Sequence, residues 1–97
     1  MATVSFFRFD FLSNPAFLPG EERGTAFGPW EWSGKSANWT VRPFNLSTAT
    51  RGLEITHVEA RSRPHQPAGE ELVRVWVRNV GPDPVVIWHL SLGIIEA

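Results

Sequence analysis

Cysteine is absent from this 97-residue chain, which removes disulfide scaffolds, thiolate metal sites and thiol nucleophiles together. Neither sign of charge is in excess: nine basic residues against ten acidic ones give a net charge of −1. No overall field therefore recruits nucleic acid or an anionic membrane surface. Long apolar runs are missing as well. The longest, Val85 to Leu92, contains His89 and Ser91 and falls far short of the roughly 20 residues a membrane helix needs. Arg8 and Asp10 interrupt the apolar start before a signal-peptide core can form. The expectation is no membrane insertion, with the chain cytoplasmic by default or exported by a non-classical route. Lack of cysteine suits either redox environment. There is no internal repeat, no sustained heptad and no glycine-rich loop leading into a helix.

What is present is apolar and aromatic. Hydrophobic residues make up 42% of the chain, with five Trp, seven Phe, eight Gly and eight Pro, too apolar a mixture for a disordered tail. The length suits a single domain over residues 1–97. Gly and Pro punctuate the chain, and the pieces between them favour period two over period 3.6. In Val4 to Leu12, Phe7, Phe9 and Phe11 share one face, with Phe6, Arg8 and Asp10 opposite. Ser13 to Thr25, with Asn14-Pro15 and Pro19-Gly20, reads as a loop. Phe27 to Trp32 contains Gly28-Pro29 and reads as an edge or interrupted strand. Trp39, Val41 and Pro43 alternate in the next segment.

Leu53 to Arg61 starts with Leu53 and Ile55 on one face and resumes with Val58 and Ala60 in the opposite parity, so a β-bulge is expected near Thr56–His57. Arg61 to Gly69 is a polar loop. Val73, Val75 and Val77 then line one face of a strand, with Arg74, Trp76 and Arg78 on the other. After Gly81-Pro82-Asp83-Pro84, a last strand puts Val86, Trp88, Leu90, Leu92 and Ile94 opposite Val85, Ile87, His89 and Ile95. These last two runs are expected to pair as an antiparallel hairpin. The fold class that follows is all-β: a small antiparallel β-sandwich of six to seven short strands with no substantial helix. Phe7, Phe9, Phe11, Trp39 and Trp88 are expected in its core.

The stretch from Glu71 to Gly81, ending Val77-Arg78-Asn79-Val80-Gly81 and followed by Pro84-Val85-Val86-Ile87-Trp88, resembles bacterial immunoglobulin-like adhesion and CARDB-type modules. The resemblance covers the C-terminal fifth of the chain. It implies an immunoglobulin-like sandwich and no activity.

No constellation of catalytic residues emerges. His57, His65 and His89 lack ligand spacing, so no metal site and no cofactor are expected. Ser91, His89 and Asp83 are the nearest approach to a nucleophile triad, without a Gly-x-Ser-x-Gly turn. Glu21-Glu22 and Glu70-Glu71 are sequence neighbours rather than acids facing across a cleft. The chain therefore reads as a non-enzyme. Arg74, Trp76 and Arg78 form an Arg-Trp-Arg ladder, in which guanidinium groups over the indole are expected rather than nucleic-acid bases. Trp30 and Trp32, two apart on an extended strand, are expected on one face about 7 Å apart. They are expected to pack in the core or cap one end of the sandwich, or to anchor a subunit interface; as a platform for a sugar ring, with Glu31 or Asn38 bonding hydroxyl groups, they define a lectin-like alternative.

Several strands are apolar on both faces, yet a sandwich of this size has one interior. The surplus points to a homo-oligomer, a self-associating structural or adhesion-type subunit. Phe6, Arg74, Trp76, Arg78 and Ile87 are its expected interface residues.

Overall fold

The computed structural model describes residues 3–32, 35–44, 50–61 and 70–96. Six strands run in chain order: β1 (Thr3–Phe17), β2 (Glu22–Glu31), β3 (Lys35–Pro43), β4 (Leu53–Arg61), β5 (Glu70–Asn79) and β6 (Val85–Glu96). They form two three-stranded antiparallel sheets, ordered β1-β6-β3 and β2-β5-β4, and the sheets pack face to face as a β-sandwich. The expected loop at 62–69 lies outside the described residues.

The strands with the most buried positions, β5 and β6, take the central position in each sheet. Val73, Val75 and Val77 from β5 thus meet Trp88 and Leu90 from β6 across the interior, where all five are buried. This corrects the expected hairpin: β5 and β6 are not paired, and the turn between them is an arch from one sheet to the other. Periodicity identifies the face a strand buries. It does not identify the strand beside it, and two strands with fully apolar inner faces bury more by facing each other than by lying side by side.

The Thr56–His57 expectation holds. Ile55 pairs with Val77 and His57 with Trp76, leaving Thr56 as the extra residue and returning Val58 and Ala60 to the inner side. The interruption at Gly28-Pro29 is also present, on an edge strand, as a register shift between Phe27 and Trp30 with Gly28 at φ 102°.

Ser13 to Thr25 is not one loop. β1 continues through a register irregularity to Phe17, and only the segment 18–21 lies outside a strand before β2. The continuation is anchored by burial: Phe17 is fully buried, and Ser13 Oγ accepts a hydrogen bond from Trp88 Nε1 at 2.8 Å. In β6 the alternation slips at its start, so Val85 is buried and Val86 exposed, the reverse of the sequence reading. Phe7 is half exposed rather than core, whereas Phe9, Phe11 and Trp39 pack against the core and Trp88 is buried within it.

The two ends of the sandwich differ. At one, both arches are tied together through Asn79, whose amide nitrogen donates to Phe17 O at 2.8 Å and Asp83 O at 3.0 Å, while its Oδ1 accepts from Gly81 N at 3.0 Å. Its backbone bonds Glu21 O and Gly20 N across the gap. At the other end, where β1 begins and β6 ends, a cleft lies between the sheets.

Candidate functional site

Three surfaces stand out. The first is the outer face of β1-β6-β3. Register places its residues in rows across the strands: Val4, Ile95 and Ser36; Phe6, Gly93 and Asn38; Arg8, Ser91 and Thr40; Asp10, His89 and Arg42. A last row holds Leu12 and Ile87, joined by Phe44, whose N–H bonds Ile87 O at 2.9 Å. The face is apolar at both ends and polar in the middle. Phe6 is 81% exposed and Leu12 73%, and Val4, Phe44, Ile87 and Ile95 are each about half exposed. Phe6 lies over Gly93, its ring edge 3.4 Å from where a Cβ would stand, so the missing side chain lets the ring rest on the central strand. Arg8 Nε donates to Asp10 Oδ1 at 2.8 Å within the polar band.

The second surface, the outer face of β2-β5-β4, has the opposite character. Its rows read Glu22, Arg78 and Glu54; Gly24, Trp76 and His57; Ala26, Arg74 and Glu59. Arg78 pairs with Glu22 at 3.3 Å, and Arg61 and His57 both reach Glu59. The Arg61 guanidinium, followed by His57, holds the Glu59 carboxyl below the ordinary carboxylate value despite an opposing desolvation effect. Trp76 does not carry a guanidinium on its face as expected. The His57 ring sits 5.0 Å from its indole, which lies across Gly24 so closely that a Cβ there would meet Nε1 at 2.9 Å. Directly opposed residues on neighbouring strands are closer than residues two apart on one strand, so His57 outcompetes both arginines.

These two faces divide the expected interface set. Phe6 and Ile87 lie on one outer face, and Arg74, Trp76 and Arg78 on the other, on opposite sides of the molecule. Strand periodicity separates inner from outer but cannot tell one outer face from the second.

The third surface is the cleft between the sheets at the end where β1 begins. Phe7, Phe9, Leu92 and Ile94 from one sheet and Trp30, Glu31, Trp32 and Lys35 from the β2–β3 side line an apolar cleft of about 450 Å³. A neighbouring opening of about 430 Å³, on the β3–β4 side, shares Trp32 and Lys35 and includes Asn38. Trp30 and Trp32 are brought together, but not as a platform: their ring centroids are 5.8 Å apart and their planes tilted by 49°. Trp30 instead lies nearly parallel to Phe9 at 6.3 Å. The extra residue at Gly28-Pro29 reverses the parity of β2, turning Trp30 toward the interior beside Glu71. Glu31 pairs with Lys35 at 3.7 Å on the rim, and Asn38 does not line the cleft that holds Trp30 and Glu31.

The remaining polar residues are dispersed. His57 and His89 are on opposite outer faces, and His65 lies outside the described residues. Ser91 and His89 share one face of β6, whereas Asp83 belongs to the β5–β6 arch and accepts the Thr50 N–H at 2.7 Å. Among the described residues no group of three or more His, Asp or Glu is placed to hold a metal ion, and no helix is long and apolar enough to cross a membrane. No protein family matches the chain, nor does any curated protein or solved structure.

Proposed function

We propose that this chain is a non-enzymatic structural or adhesion-type subunit that associates with copies of itself through the outer face of β1-β6-β3. The observation that carries this reading is the contrast between the two outer faces. One is laced with its own ion pairs; the other exposes six large apolar side chains in two clusters. Size supports it. The chain exposes 6318 Å², against about 5,600 Å² for a compact monomer of its mass. Its radius of gyration is 15.2 Å, against about 12.5 Å for a compact chain of this length. A slab 46 × 32 × 18 Å has more surface than its interior can use.

Sugar binding at Trp30 and Trp32 is the weaker reading, because stacking on a sugar calls for rings presented in one plane and these are tilted into an aromatic cluster. Sedimentation velocity from about 1 to about 100 μM, the range where a modest interface dissociates, tests the proposal. The wild-type chain should shift to a dimer or larger species as concentration rises, and the Phe6→Ser/Leu12→Ser variant should remain monomeric. A wild-type monomer throughout that range would falsify it.

A further inference from the structure

The apolar and charged rows on the β1-β6-β3 face are arranged so that the face complements itself in one particular register. Along β1 the outward residues run Val4, Phe6, Arg8, Asp10, Leu12. Consider a two-fold axis lying in the contact plane, perpendicular to the strands, and passing between the Arg8 and Asp10 rows. It reverses strand direction and sets β1 over the partner's β1. Arg8 then faces the partner's Asp10, and Asp10 faces the partner's Arg8. One step outward, Phe6 faces the partner's Leu12, joining the two most exposed apolar side chains of the face. On β6 the same operation brings Ile87 over the partner's Gly93, the position on which the partner's Phe6 ring rests. An isologous contact requires such self-complementarity.

We infer that the second copy docks in this antiparallel register, with reciprocal Arg8–Asp10 pairs at its centre and Phe6–Leu12 contacts flanking them. The inference rests on the self-association proposed above and adds the geometry of the pair. Charge complementarity selects the register more than it sets the affinity, since like charges placed in opposition are costly while solvent-exposed pairs contribute little. An axis running along β6 instead gives a different contact, with Asp10 over the partner's Arg42 and Phe6 over the partner's Asn38. That arrangement joins Leu12 to the partner's Phe44 but leaves the most exposed ring, Phe6, against a polar side chain, whereas the antiparallel register sets only the half-exposed Phe44 over the partner's Asn38.

The footprint suits a modest dimer. Three strands about 4.8 Å apart and nine residues long cover about 15 × 30 Å on each copy, about 900 Å² in total, the range of weak and transient association.

Charge reversal distinguishes the registers. Arg8→Asp opposes acid to acid across the axis and Asp10→Arg opposes base to base, so each variant alone should dimerise at least about tenfold more weakly than wild type. Mixing the two single variants should restore a heterodimer, resolved by native mass spectrometry with one partner isotope-labelled. The double variant Arg8→Asp/Asp10→Arg should dimerise within about threefold of wild type, because every opposed pair is again unlike. Both side chains are more than 60% exposed, so each variant should fold, which circular dichroism checks. If wild type associates but neither the mixture nor the double variant recovers, the register is overturned while self-association stands. If wild type does not associate, both fall. Loss with Asp10→Arg and with the double variant, but not with Arg8→Asp, identifies the alternative axis and overturns this one.

Discussion

Asn79 shows how much one buried polar side chain can determine. Its amide satisfies two carbonyls and one N–H at one end of the sandwich, and it is 1% exposed. Replacing it by Ala removes these bonds and leaves the Phe17 carbonyl without its donor. The expected cost is about 2–4 kcal/mol, read as a shift in the urea midpoint of unfolding. Asn79 was visible in the sequence only as a turn residue, and Phe17 only as part of a Pro- and Gly-rich stretch. Turn chemistry marks where a chain leaves its strand. It is silent on which side chain returns to the core there.

The segment 18–21, which joins β1 to β2, is held by charge. Glu21 Oε1 accepts the Leu18 N–H at 2.9 Å, and both carboxylate oxygens are engaged by Arg23 at 3.0 and 3.1 Å. Arg23 also donates to the Pro15 and Ala16 carbonyls and lies over the Phe17 ring. The Arg23 bonds first, and the Leu18 N–H second, hold the Glu21 carboxyl below its ordinary value of 4.5. A carboxyl depressed in the folded state contributes its stabilisation fully above the unfolded value and loses it as pH falls through the folded one. The melting temperature should therefore fall more steeply between about pH 5 and pH 3 in wild type than in Glu21→Gln. Most of the strands, the inner face of β5 and the Thr56 bulge were legible because each is written in local alternation, whereas the end of β1, the start of β2 and the first residues of β6 were not. Nor was strand order. The inner faces of β5 and β6 read the same whether the strands lie side by side or face to face, and only the global demand for burial decides between them. The Trp30–Trp32 geometry escaped for a related reason: Gly28-Pro29 announces a break, but a break of one residue and a break of two place opposite sides of β2 inward.

At the scale of the molecule, the thin slab with one charged and one apolar outer surface is the property on which the proposed assembly rests, and the candidate interface was legible only in part. The surplus of apolar residues could be counted from composition and parity. Its location could not, because two outer faces share the same phase. The unequal ends have a further outcome. Where Asn79 ties both arches, backbone amides are enclosed by Phe17, Val85 and Trp88; at the opposite end the sheets part around the Trp32 cleft. Deuterium uptake should follow that gradient along single strands, slow at Val77 and Leu90 and fast at Val4 and Ile95. Uniform protection from tip to tip would contradict it. Opening from one extremity makes the sandwich behave as a pair of leaves bound along a spine, so that thermal fluctuation is channelled to the unbound margin while the bound one keeps the fold in register.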